Sequence, residues 1–185
     1  IAGGIVGFNA WADRMARLRQ ELAGHQPSRA AIDAFMICDF SQAVFKADLN
    51  LAGFRFPGGV WFDDSRFEAS VTFASARFLD RVSFCGAQFV SEPYFEGTTF
   101  TVADFSTAVF EDAAQFRKAE FDGDVRFDRV VFANGAWFRG SRFSALGSFR
   151  NVRFKSDAAF GGCLFAGEAA FSGAHFYNHA GFDTV

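Results

Sequence analysis

From Cys38 to Phe182 a large apolar residue, nearly always Phe, returns every five or six residues. Its positions run Phe40, Phe45, Leu51, Phe56, Phe62, Phe67, Phe73, Phe78 and so on to Phe171, Phe176 and Phe182. Two places before nearly every anchor stands a small or branched residue, as in Ala119, Val125, Val130, Ala136, Ser141, Val152, Ala158 and Cys163. Steps of five and six alternate, so the true period is eleven, which neither a helix nor a simple strand generates. Internal repetition is therefore the first property to explain, and it predicts a stack of equivalent units. The rhythm slips once. Phe95, Phe100, Phe105 and Phe110 are each five apart, so one residue has been dropped between Phe100 and Phe105. No linker or Pro-rich tract interrupts residues 38–185, which form one domain.

The first 37 residues follow a different pattern. Trp11, Met15, Leu18 and Leu22 fall on one face of a helix, with Asn9 as N-cap and Gly24 as stop. A second short helix opens at Ser28 and runs to about Phe35. Terminal units of a repeat stack need a cover, so residues 1–37 are expected to form a helical N-terminal cap or anchor. The alternative is a helix for a membrane surface or a partner. Ile1–Phe8 is apolar but far short of the ~20 residues that span a bilayer. Membrane association would then require a segment upstream of Ile1.

Composition changes the picture in one respect. Aromatic residues make up 18% of the chain, almost all Phe, whereas ordinary cores mix aliphatic shapes to fill space. Such usage suits a core that stacks one side chain on its own copies. The formal charge of −3 points to neither a polyanion binder nor an acidic tail. Three cysteines without framework spacing read as free thiols in a reducing compartment, which places the chain in the cytoplasm, with the cytoplasmic face of a membrane as the variant.

Small-x-Phe-x-x, repeated without gaps over about four-fifths of the chain, resembles the pentapeptide-repeat proteins, in the Phe-rich form with an extra residue in alternate units. The resemblance implies an all-β solenoid, a right-handed quadrilateral β-helix of four units and about 22 residues per coil. Anchor and small residue would point inward and the other positions outward. Phe62, Phe73, Phe84, Phe105, Phe127, Phe149 and Phe171 would then belong to an interior ladder.

Charges test the four-unit coil. It sets Asp104 against Arg126, Glu120 against Arg142, Asp128 against Arg150 and, counting the dropped residue, Glu96 against Arg117. Opposed charges contribute about 0.2–1 kcal/mol each, and like charges cost a similar amount. Three units per coil would instead oppose Asp104 to Glu120 and Arg126 to Arg142. Four is preferred, although Arg55 still meets Arg77, and Arg117 meets Arg139. By the same argument, the acid-rich stretch Glu92–Asp124 and the base-rich stretch Arg126–Lys155 read as adjacent coils that neutralise one another.

Signals for catalysis are absent from this sequence: no phosphate loop, nucleophile elbow or facing carboxylates. His175 and His179, with Cys163 nearby, fall short of the four ligands of a structural zinc site, so no metal or cofactor is expected. Gly58-Gly59 and Gly161-Gly162 are expected at corners needing positive φ. Tyr94, Gln115 and Trp137 align in one outward stripe, with Val109 and Val131 in the next, as a candidate protein-contact patch. Trp61 lies apart and is expected beneath the N-terminal helix. The C-terminal coil would leave strand edges and rings that invite a second chain, and the resemblance implies end-to-end homodimers.

The expected function is non-catalytic: a structural or protein-interaction rod serving as accessory or scaffold subunit of a larger assembly, with membrane association as a variant and no direct nucleic-acid binding. The resemblance also implies an alternative, a DNA mimic that binds and protects a type II topoisomerase (gyrase). A ~30 Å mimic of duplex DNA would want about eighteen negative charges. Residues 38–185 carry 18 acids but also 14 bases.

Overall fold

The structure is a computed structural model that describes residues 37–183 together with Arg14 and Arg17. Arg14 and Arg17 are helical and exposed, whereas Trp11, Met15, Leu18 and Leu22 of the expected cap lie outside the described residues. From Cys38 onward the backbone forms a parallel β-solenoid of about seven coils with 22 residues per turn. Most strands are two residues long, the outward residue with either the small-residue site before it or the anchor after it, and each pairs with its equivalent one coil away.

Strand pairing sorts the coil into four walls. The outward residues of wall 1 run Asp39, Trp61, Ser83, Asp104, Arg126, Ser148, Ala170. Wall 2 carries Val44, Arg66, Gln88, Val109, Val131, Arg153 and His175. Wall 3 carries Asn50, Thr72, Tyr94, Gln115, Trp137, Ala159 and Gly181. Wall 4 carries Arg55, Arg77, Thr99, Glu120, Arg142 and Leu164. Walls 2 and 3 are separate seven-stranded sheets; walls 1 and 4 are fused because strands Arg77–Ser83 and Thr99–Asp104 continue around the corner between them.

The two step lengths are two kinds of corner. Every five-residue step out of walls 1 and 3 closes a turn in which the third residue after the anchor donates its N–H to the anchor's carbonyl, as Ala108 does to Phe105 at 3.0 Å. The second residue is left-handed at each of these corners: Gln42, Asp64, Gly86, Thr107, Arg129, Asn151 and Gly173 in one column, Gly53, Ser75, Gly97, Lys118, Gly140 and Gly162 in the other. A positive φ at that place is what a type II turn demands. Six-residue corners have no left-handed residue among those described, and the anchor's carbonyl bonds to the next coil instead, as Phe45 O accepts from Glu68 N at 2.9 Å. Gly162 thus meets the expectation for its corner, whereas Gly58 and Gly59 do not: both sit in a wide corner without positive φ. The dropped residue falls in a wide corner, where the ladder shifts register between Phe100 and Val102 against the preceding coil. Such a bulge absorbs one residue without rotating the strands that follow.

Inside, the anchors form four columns of parallel rings. Stacked neighbours lie 4.5 to 5.4 Å apart, as between Phe143 and Phe165 or Phe78 and Phe100, close to the strand spacing that sets them. The columns of walls 1 and 3 interlock edge to face: Phe105 meets Phe116 at 5.5 Å and 90°, and Phe116 meets Phe127 at 5.4 Å and 87°. Both geometries suit the ring quadrupole. Phe62, Phe73, Phe84, Phe105, Phe127 and Phe149 are fully buried, while Phe171, in the last coil, is half-buried. Some polar small-site residues are satisfied by reaching a carbonyl one coil back: Thr98 Oγ1 donates to Phe73 O at 2.7 Å, and Cys163 Sγ to Phe138 O at 2.9 Å, whereas the buried Ser65 Oγ has no partner among the described residues. Burial pushes the Cys163 thiol up to about 11, so it stays a neutral donor.

Candidate functional site

Because side chains fill the interior, any functional chemistry belongs to the walls. A wide corner has one residue more than a tight one, placed two before the outward strand residue. Residues i and i+2 of a strand share a face, so these two touch. On wall 3 the extra residue is Glu92 beside Tyr94 and Gly135 beside Trp137; on wall 1 it is Gly59 beside Trp61. The indoles of Trp61 and Trp137 fold back over Gly59 and Gly135, where a Cβ would collide with the rings. Both tryptophans are consequently half-buried against the wall.

The expected contact patch lies in register. Tyr94, Gln115 and Trp137 follow one another on wall 3, and Val109 opposes Val131 on wall 2. Tyr94 is exposed, Val109 and Val131 are half-buried, and Gln115 is buried. Glu92 organises the stripe, and nothing in the hydrophobic pattern singles it out. Its carboxylate accepts from Tyr94 Oη at 2.6 Å and from Gln115 Nε2 at 2.6 Å. The hydrogen bond to Glu92 holds the Tyr94 hydroxyl above its ordinary range. Arg117 reaches across from the neighbouring corner to within 6.0 Å of the Trp137 ring centroid. The result is a shelf of aromatic and amide groups in which one carboxylate holds Tyr94 and Gln115, and Trp137 lies over Gly135.

The inter-coil ion pairs need correction in detail. Backbone register sets Asp104 opposite Arg126 and Glu120 opposite Arg142. Among the described residues, however, none of the four expected pairs closes within 4.0 Å. Asp104 meets Arg81 of the previous coil at 3.4 Å and accepts from Ser106 N at 2.9 Å. Asp128 accepts from Ser148 Oγ and from the backbone N–H of Arg150 at 3.1 Å, leaving the Arg150 guanidinium to Glu168 at 3.6 Å. Arg142 Nε donates to Ser144 Oγ at 3.2 Å. A short carboxylate beside a turn is captured by nearby backbone N–H groups. Holding two long exposed side chains in one geometry costs entropy that the ion contact barely offsets.

His175 stands outward on wall 2 with its ring 6.2 Å from that of Tyr177, while Cys163 points into the core. Among the described residues no three His, Cys, Asp or Glu side chains gather as metal ligands. Nor is any described helix long and apolar enough to cross a membrane.

Charge follows the walls rather than the chain. Counting each strand with the corner leading into it, wall 3 carries six acids and two bases, and wall 1 the same. Wall 2 has three acids and four bases. Wall 4 has two acids, Glu96 and Glu120, against six bases: Arg55, Arg77, Arg117, Lys118, Arg139 and Arg142. Read linearly, the sequence showed acidic and basic stretches in succession. A period of 22 redistributes them into faces.

Comparison with curated protein sequences gives no match. A family model described as pentapeptide repeats, in nine copies, matches residues 51–99 and 105–147, and the break between the two segments falls at the short corner after Phe100. With the repeat, its inward Phe and the four-walled coil all in place, the chain belongs to the pentapeptide-repeat family.

Proposed function

We propose that this protein is a non-catalytic rod that holds another protein against wall 3, as an accessory or scaffold subunit of a larger assembly. Pentapeptide-repeat proteins are in general structural or protein-interaction rods. The observation that carries the reading is the Glu92–Tyr94–Gln115–Trp137 shelf. Three in-register outward groups are held rigid before any partner arrives, and rigid aromatic side chains lose little entropy on being covered. Aromatic anchors of this kind dominate protein contacts.

Affinity purification of the native protein, followed by mass spectrometry, tests the proposal against a Tyr94→Ala/Trp137→Ala variant. A stoichiometric protein that travels with the wild type and is lost from the folded variant supports it. Wild-type protein that purifies alone as a monomer overturns it. The rival reading, a topoisomerase-protecting DNA mimic, is opposed by wall 4, whose six bases interrupt any uniform negative surface. Stoichiometric protection of gyrase supercoiling from a quinolone would reverse that ranking.

A further inference from the structure

Wall 4 shares Arg117 with the shelf on wall 3 but has a property of its own. Four of its six cations are stacked in pairs on one another, although Glu120 stands opposite Arg142 in the ladder. Arg55 and Arg77 are direct ladder neighbours, and Arg117 and Arg139 follow Phe116 and Phe138, whose rings stack at 4.9 Å. Like charges at that spacing oppose folding. Among the described residues, Arg77, Arg117, Lys118, Arg139 and Arg142 have no carboxylate within 4.0 Å, although acids crowd both adjoining walls. All five are exposed. Two leucines accompany them into solvent. Leu164, 50% exposed, is the ladder neighbour of Arg142, and Leu79, 42% exposed, lies two residues beyond Arg77.

We propose that wall 4 docks on an anionic lipid surface. A phospholipid headgroup plane is flat, as this wall is, and it engages cations and short apolar side chains together. Exposed leucines beside arginines suit that occupant and have no counterpart in phosphate-backbone recognition. Nucleic acid fits less well for a second reason. A convex duplex curves away from a flat wall and meets it along a narrow strip, whereas a headgroup plane can meet the whole width of wall 4 at once. Docked this way, the rod lies along the membrane with wall 2 facing away and the Tyr94 stripe at its side, free for a protein partner.

The experiment is co-sedimentation of the full chain with vesicles of 30% phosphatidylserine in phosphatidylcholine at about 0.1 M salt, where exposed charges act over about 10 Å. Two variants remove the same net charge: Arg117→Gln/Arg139→Gln on wall 4 and Arg129→Gln/Arg153→Gln on wall 2. Each basic residue near an anionic surface contributes about 1 kcal/mol, or about fivefold in partition. The wall 4 pair is expected to weaken partition by at least about tenfold and the wall 2 pair by less than about twofold. Leu164→Ser is expected to weaken it about threefold, and pure phosphatidylcholine to bind nothing. Circular dichroism confirms that each variant is folded. The proposal is overturned by failure of the wild type to bind, by equal losses from the two pairs, or by tighter binding to a 20-base-pair duplex at the same salt.

Discussion

Tight and wide corners of this solenoid solve the same problem, a right-angle bend between short strands, by opposite means. A tight corner closes its own hydrogen bond and requires a left-handed residue at its second position. It tolerates no change of length, and the described tight corners keep five residues from Phe40 to Phe176. A wide corner makes no bond of its own, leans on the coils above and below, and carries one spare residue. That spare position is where the molecule varies. It holds Glu92 under the shelf, Gly59 and Gly135 under the indoles, Arg81 against Asp104 and Glu168 against Arg150. Tight corners hold the rod to its pitch, and wide corners leave room for individual chemistry.

The largest expected effect comes from moving the spare residue. Inserting one Gly between Thr101 and Val102 restores six residues to the shortened wide corner, and stability should change by less than about 1 kcal/mol, because the bulge there already accommodates a register shift. The same insertion between Ser106 and Thr107 breaks the Ala108–Phe105 turn bond and unseats Phe110 from its column. Losing one buried ring costs about 3–5 kcal/mol, the amount also expected for Phe127→Ala. Urea unfolding of the three variants checks this. Equal costs for the two insertions would erase the distinction between corners.

A smaller effect separates the reasons for glycine in the two corner types. Gly123, in a wide corner, lies against the carbonyl oxygen of Thr101 in the shortened coil, and a Cβ there would strike it. Gly123→Ala should cost about 1–3 kcal/mol through overpacking. At tight corners the constraint is conformational. Thr107 is β-branched and left-handed at φ 62°, and Lys118 is left-handed at φ 55°. An L-residue pays about 1–2 kcal/mol for that region, so Thr107→Gly should be stabilising despite its freer unfolded chain, by up to about 1 kcal/mol. Thermal unfolding that shows Thr107→Gly to be destabilising by more than that would place the Thr107 side chain in a structural role.

How far these features could be read from sequence follows the same division. The ring columns and the slipped coil were legible because each depends on a periodic signal that Phe carries unmistakably, whereas the four walls came from the resemblance to pentapeptide-repeat proteins and from the register of charges. The ion pairs were legible only as backbone register. Asp104 and Arg126 do face each other, but the choice of Ser106 N–H and Arg81 as partners depends on side-chain reach that spacing cannot express. Glycine was misread at Gly59 because a corner position suggested φ, whereas the Gly-x-Trp spacing, shared with Gly135 and Trp137, was the signal for room beneath an indole. The basic wall was hidden by reading charge along the chain. Folding the sequence at 22 residues and summing each wall would have exposed it. Glu92 had no signal apart from its place two residues before Tyr94.

The smallest expected effect tests whether the spare residue does act on the outward group beside it. The Tyr94 hydroxyl can donate to Glu92 only while protonated, which is why its pKa is raised. In the unfolded chain the phenol titrates near 10. The stabilisation from this bond is therefore complete below that pH and is lost as pH climbs through the higher folded value. Replacing Tyr177 by Phe leaves Tyr94 as the single tyrosine, so absorbance at 295 nm follows it alone. In that background Glu92→Gln should move phenolate formation to lower pH, since the amide keeps an acceptor but removes the negative charge. At tight corners the residue two before the outward group is held left-handed by the turn, so no outward group on walls 2 or 4 following such a turn should couple in this way. A titration of Tyr94 that ignores Glu92 would mean that the shelf is not held by its corner, and the division of labour between the two corner types would lose its chemical half.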